Sequence, residues 1–212
     1  MAGDGGNILM KIVAQNNHGV AGETSTLLPT GRERATMMHD FKQTEMFEID
    51  SFNFSVNVND DGNAPKPGAK PAAALPKGHP KPPEPSSYAA FRSNKAHKYP
   101  VAVQPITFKR LVDTTSALLF QHCVNCTSFK SATLVKLKPA GNKAAGAPYL
   151  RIDFHGVLLT KVSWSNDEPV SASHEFISRK VRIRYRPQLP DGTLGAVIEG
   201  FWNSNPGEAR IT

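Results

Sequence analysis

Little in this 212-residue chain invites covalent or metal chemistry. It has two cysteines, Cys123 and Cys126, spaced Cys-x-x-Cys at the end of a helix-like pattern. A redox pair of that spacing belongs at a helix N-terminus, where the dipole lowers the thiol pKa. Here it stands at the other end, and no second pair exists to complete a zinc site. Both cysteines therefore read as packing residues. Gly-x-Ser-x-Gly, the P-loop and His-Glu-x-x-His are absent. The seven histidines, His18, His39, His79, His97, His122, His155 and His174, share no ligand spacing on any one expected element. Asp153 and His155 alternate on one strand face, but no nucleophile is placed beside them. Among Glu45, Glu48, Asp50 and Asp153 nothing selects an acid–base pair. The expectation is a chain without catalytic residues, cofactor or metal. Long apolar runs are missing too: none reaches the roughly 18 residues of a membrane helix. The opening Met1–Asn7 carries Asp4, has no basic residue and precedes no apolar run, unlike a cleaved leader. Synthesis in the cytoplasm, and export only by a leaderless route, are expected.

What is present is charge and proline, unevenly placed. The net charge is +7. Residues 59–98 hold seven Lys or Arg against three Asp or Glu, so more than half of that charge sits in one stretch. Eight of the 17 prolines fall between Gly62 and Pro85, interleaved with Lys66, Lys70, Lys77 and Lys81. This composition suits an extended, polyproline-prone insertion over 60–98, not a packed element. Only Tyr88, Phe91 and Tyr99 near its end could stack on bases, so nucleic acid is not expected as a partner. The insertion reads as a solvated arm or as one that lies on a neighbouring subunit, with Tyr88 and Phe91 as contact residues.

The remaining chain is dominated by a period of two. Tyr149–Ser165 alternates Leu150, Ile152, Phe154, Gly156, Leu158, Thr160, Val162 and Trp164 against a polar set that includes Arg151, Asp153, His155 and Lys161. One long strand with one buried face is expected, bent at Gly156. Further strands are expected over Asn7–Val13, Glu45–Asn59, Val101–Arg110, Phe129–Lys138, Ser173–Arg186 and Thr193–Asn203. Glu45–Asn59 changes phase near Asp50–Ser51, which signals a bulge or a change of sheet. Val101–Arg110 changes phase at Pro105. Asp113–Asn125 reads as the one substantial helix, capped by Asp113 or a following Thr, with Leu118, Leu119, His122 and Cys123 on its apolar side. Residues 14–40 are punctuated by Gly19, Gly22, Pro29 and Gly31 and read as an extended loop. Residues 204–212 read as a loose tail. Lys180, Arg182, Arg184 and Arg186 form a basic row on one strand face, expected to be solvated on the outside or in a channel. The fold class is mainly β: one domain over 1–212, a compact antiparallel β-barrel of two packed sheets with one flanking helix and the Pro/Lys-rich insertion.

Several blocks, in order, resemble the Hcp family, the tube-forming proteins of bacterial type VI secretion systems. They are Asn7–Ile12, Phe47–Phe54, Ile106–Phe120, Lys130–Leu134, Tyr149–Ser165, and the closing Val181–Tyr185, Asp191-Gly192 and Gly195–Trp202. The resemblance covers about half of the chain; residues 14–40 look longer than the family's, and 60–98 looks like an insertion. It implies a small β-barrel with one helix, assembled as six-membered rings that stack into a tube within a contractile sheath. That tube is expelled with a VgrG-type spike and carries small effector proteins in its lumen. A closing ring needs a heterologous interface. On this reading Glu23, Thr24, Arg32, Arg34, Met37 and Met38 of the 14–40 loop bridge to the next ring, and no membrane is involved. A phage-type tail tube protein fits the same pattern. A secreted carbohydrate-binding or hydrolytic β-sandwich would instead need an aromatic cleft, and both tryptophans, Trp164 and Trp202, occupy expected buried positions.

Overall fold

The computed structural model describes residues 7–22, 24–58, 101–139, 146–203 and 209–211, so the 60–98 insertion with Tyr88 and Phe91 lies outside the described residues. It forms two compact units, one of 1–54 with 105–212 and one of 55–104. In the smaller unit the described part is an antiparallel pair, β4 (Val56–Val58) with β5 (Val101–Val103).

The larger unit is built around β8 (Pro148–Trp164), the long strand the alternation predicts. One edge pairs with β7 (Ser128–Leu137), and β7 pairs with β1 (Ile8–Ala14). The other edge carries a continuous return: β9 (Ser171–Ile177) on Leu158–Trp164, then β10 (Lys180–Tyr185) on Leu150–His155. The expected single strand Ser173–Arg186 is thus two, broken opposite Gly156. Gly156 adopts φ +63, and Arg179 N–H donates to the His155 carbonyl at 2.9 Å beside it. That bend lets one ribbon serve two sheets. Beyond β10 lie β11 (Ile198–Asn203) and β12 (Ala209–Ile211); beyond β9 lies β6 (Ile106–Leu111). The tail expected to be loose therefore supplies a short strand, because β11 would otherwise present an unpaired edge.

The phase change at Asp50 has the predicted meaning. β2 (Phe47–Ile49) pairs with β1, whereas β3 (Ser51–Asn53) pairs with β6. Pairing thus passes from β1 through this jog to β6, β9, β8, β7 and back to β1, without one unbroken ladder. The break at Pro105, between β5 and β6, likewise falls where the pattern shifts. Enclosed by these strands is an aromatic core. Phe108 meets Phe47 and Phe176, each with centroids 6.2 Å apart, and Phe154 meets Phe176 at 5.1 Å and Phe54 at 5.9 Å.

The flanking helix is α2 (Thr114–Val124). Asp113 Oδ1 accepts from the Ser116 N–H at 3.2 Å, and Ser116 Oγ accepts from the Asp113 N–H at 3.1 Å, a reciprocal cap. Its buried side is Thr115, Ser116 and Leu119, with the His122 ring against Phe129 at 4.8 Å. Leu118, expected on that side, is 41% exposed, since at about 100° per residue it falls to one flank. Trp164 is 46% exposed and Trp202 half-buried, so neither is the core residue the alternation suggested. Trp164 lies past the last covered residue of β8.

A second, shorter helix, α1 (Gly31–Met37), interrupts the expected 14–40 loop. The stretch after it folds back on the outer face of the β1–β7–β8 sheet. Met37, Met38, Phe41 and Met46 join Leu9, Val135 and Leu137 in a second core there. Each such fully buried side chain contributes roughly 1.5–3 kcal/mol relative to exposure. That burial favours folding the segment against its own sheet.

Gly156→Ala should cost about 1–2 kcal/mol in urea denaturation, from the left-handed backbone that an alanine resists. The added methyl would touch only the flexible stem of Arg179, at 3.2–3.4 Å. A change below about 0.3 kcal/mol would mean that the bend does not require glycine.

Candidate interaction surfaces

The outer face of β8 and β10 carries a run of charged residues. In register across the pair, Lys180 stands opposite His155, Arg182 opposite Asp153 and Arg184 opposite Arg151. Lys180, Arg182, Arg184 and Arg186 were expected to share one solvated face, but the face they lie on does not offer one environment. Arg151 and Asp153 are each 5% exposed, because the 31–46 segment covers them. Arg151 Nη1 donates to the Met37 carbonyl at 2.7 Å, and its guanidinium spans the Asp40 carboxylate at 2.5 and 3.0 Å. Its Nε donates to both Asp153 oxygens, at 2.9 and 3.1 Å. Asp153 also accepts from Thr133 Oγ1 at 3.0 Å and Arg184 Nη2 at 2.8 Å. Lys11 extends the cluster to the Asp40 carbonyl and to Glu45 at 3.2 Å. Burial alone would raise the Asp40 and Asp153 carboxyls. Hydrogen bonds and charge from Arg151, joined by Arg184 at Asp153, outweigh it and leave both below the ordinary carboxylate range.

The basic row divides accordingly. Arg184 is paired inside this cluster, with its side chain 14% exposed. Arg182 is exposed and holds Glu199 in a two-point bridge, 2.7 Å at each contact. Arg186 donates to the Gly195 and Leu194 carbonyls at 3.2 and 3.3 Å, closing the loop before β11. Lys180 is exposed beside His155. The His155 imidazole is held below its ordinary range, chiefly by burial and also by the Lys180 and Arg182 cations, against the pull of Asp153. Asp153 is occupied by arginines and Thr133, so it does not form the Asp–His pair that the alternation allowed. Among the described residues no cluster of His, Cys, Asp or Glu is arranged to hold a metal ion. Cys123 and Cys126 are free thiols, and Cys123 Sγ lies 4.0 Å from the Leu159 carbonyl.

The proposed ring-to-ring contacts of the 14–40 stretch fall in different settings. Glu23 and the Arg32 side chain lie outside the described residues. Thr24 Oγ1 donates to Glu48 at 2.7 Å, and Arg34 Nη2 donates to the Phe41 carbonyl at 2.9 Å. Met37 and Met38 are fully buried in the chain's own second core, so neither reaches a neighbour unless that core opens.

Two exposed apolar clusters had no clear sequence signal. One gathers Leu111, Val112, Phe120, Val124, Trp164 and Val170 around α2 and the tip of the β8–β9 hairpin, with Phe120 and Trp164 at 5.4 Å. The other, at the opposite end of β8, gathers Tyr185, Leu189, Val197 and Ile198. At about 3.3 Å per residue the strand between Leu150 and Trp164 could reach roughly 45 Å if straight.

One buried group has no obvious outlet. His174 is fully buried, stacked on Phe108 at 4.7 Å, and neither ring nitrogen has a hydrogen-bond partner among the described residues. Burial, then the neighbouring Arg110 cation, lowers its pKa to about 4 in spite of Asp113. Arg110 is itself buried, paired with Asp113 and laid over the Phe47 ring at 4.2 Å.

The larger unit is thus an antiparallel β protein with exposed apolar side chains toward both ends of its longest strand. Residues 84–187, nearly half of the chain, match the family model described as "Type VI secretion system effector, Hcp". Over these residues the chain matches the Hcp family. Solved structures share its fold: Hcp1 from Salmonella typhimurium is 18% identical, with 97% of this chain and 99% of that one covered, at a TM-score of 0.58. A structure described as a type six secretion system protein is 14% identical over the same shares, at 0.61. Secreted protein Hcp3 from Pseudomonas aeruginosa is 10% identical, with 93% and 97% covered, at 0.52. No curated protein sequence matches.

Two predictions test this surface chemistry. Arg151→Leu leaves the buried Asp153 and the partly exposed Asp40 short of a cation and should cost about 3–5 kcal/mol in urea denaturation, whereas Lys180→Gln should stay within about 0.5 kcal/mol. Equal effects would deny that the buried cluster holds the 31–46 segment. His174 titrates lower in the folded than in the unfolded chain, so stability is complete above pH 6.5 and falls as pH drops from there to about 4. The loss should be on the order of 3 kcal/mol. Denaturation at pH 7 and pH 4.5 checks it: His174→Phe should flatten that slope whatever its absolute stability, and an unchanged slope would contradict the assignment.

Proposed function

We propose that this protein is a structural tube subunit of a bacterial type VI secretion system. On this reading it forms six-membered rings that stack into the expelled inner tube, meets the sheath and a VgrG-type spike, and carries effectors in its lumen. It leaves the cell with the tube and acts by assembly and not by catalysis. The observation that carries the reading is the pair of exposed apolar clusters at opposite ends of β8. Two different patches on one molecule suit a head-to-tail contact, in which the Phe120–Trp164 end of one copy meets the Tyr185–Ile198 end of the next. Such contacts close into a ring when the rotation between copies divides the circle.

The clusters give a test that separates a ring from a symmetric dimer. One variant replaces Phe120 and Trp164 by serine, the other Val197 and Ile198. All four side chains are exposed, so circular dichroism should be unchanged. Each variant alone should remain monomeric in sedimentation and show no rings by negative-stain microscopy. Mixed in equal amounts they should form heterodimers and nothing larger, because one good pair of ends survives between them. Rings persisting in both variants would remove this interface, and a wild type that sediments as a monomer at every concentration would remove the tube reading itself.

A further inference from the structure

The outer sheet face has two halves of like chemistry. On the first, the chain covers its own cations: the 31–46 segment brings the carboxylates of Asp40 and Glu45 to Arg151 and Lys11, and lays Phe41 and Met37 against the apolar positions between them. The second half continues along the same strands. A cleft of about 520 Å³ there is lined by His155, Gly156, Arg179, Lys180, Arg182, Glu199 and Phe201. The glycine leaves room for the Arg179 stem to lie across it, 3.2–3.4 Å from where a Cβ would stand. Arg179 and Lys180 are exposed, and no carboxylate of the described residues pairs with either. Glu199 already shows how a carboxylate fits this cleft: it docks on Arg182 through both oxygens beside Phe201.

We propose that this open half of the face binds an acidic segment of a partner protein. Neighbouring carboxylates of the segment meet Arg179 and Lys180, and an apolar side chain beside them rests on Phe201. The occupant follows from the covered half, where this chain supplies the same combination to the same kind of surface. Charge complementarity selects the partner and speeds encounter, and the apolar contact fixes register. The proposal does not depend on the tube reading, since a monomer presents the same cleft.

The test uses the full-length protein and a fluorescently labelled peptide of six glutamates followed by one leucine, read by polarisation at low and at physiological salt. Binding should be saturable and weaken with salt. Arg179→Gln with Lys180→Gln should weaken it about tenfold, the loss of two exposed ion pairs. Lys109→Gln with Lys161→Gln removes the same charge elsewhere and should leave it within about twofold. Phe201→Ser should weaken the leucine peptide but not plain hexaglutamate. Four results overturn the proposal: no saturable binding, equal loss in the two lysine-containing variants, displacement by inorganic pyrophosphate at a tenth of the peptide concentration, or failure of the Arg179/Lys180 variant to form the wild-type assembly. The third would make the cleft a phosphate site, and the last would assign the face to a second copy.

Discussion

Arg151 is the residue on which the outer layer turns. It sits on the central strand, yet three of its contacts reach residues more than a hundred positions away, at Met37 and Asp40. A buried ion pair adds little net stability, because desolvating both partners offsets most of the attraction. The holding force is the burial of Met37, Met38, Phe41 and Met46. What the guanidinium supplies is register. A methionine-rich patch tolerates several packings, but a planar fork held by two carboxylates and a carbonyl accepts one. The apolar side chains thus decide that the segment packs, and Arg151 decides where.

The same strand imposes a second constraint through its bend. Along one edge β8 pairs with β10 up to His155 and with β9 from Leu158 onward, and β9 leads to β6 and β3. The two layers are therefore one ribbon folded over an aromatic core, and they cannot shift independently. The ends of that ribbon reach well past the core. Trp164, Tyr185 and Ile198 are exposed because no layer remains to cover them, so the architecture that makes the core compact also leaves apolar ends open for contact.

Much of this was legible from periodicity. The length of β8, the jog at Asp50, the break at Pro105, the Asp113 cap and the bend at Gly156 each follow from a local rule about alternation, proline, capping or glycine. The layer outside was not legible. Arg151 and Asp153 alternate as surface residues do, and only a segment a hundred residues upstream turns them into buried ones. Their signal, faint but real, was opposite charges on one strand face facing a Met-Met-x-x-Phe run, Met37–Phe41, too apolar for a free loop. His174 was missed for the converse reason: its polar ring occupies a core position by stacking on Phe108, and alternation cannot tell that from a solvated histidine. The basic row failed as a unit because Asp153 and Glu199 draw two of its members into different pairs.

The distribution of surface chemistry constrains how copies can meet. A symmetric dimer places one patch against its own image, so one large apolar patch would suffice and a second would be a liability for uncontrolled association. Two smaller patches at opposite ends, separated by a cationic middle, behave differently. Like-charged middles repel when two copies lie side by side, which disfavours stacking face to face, while the ends stay free to join head to tail. Head-to-tail contacts propagate in one direction and stop growing only if the chain of copies returns to its start. In the head-to-tail assembly proposed above, the open cationic face would lie along the copies and not across their joints, accessible to an acidic partner.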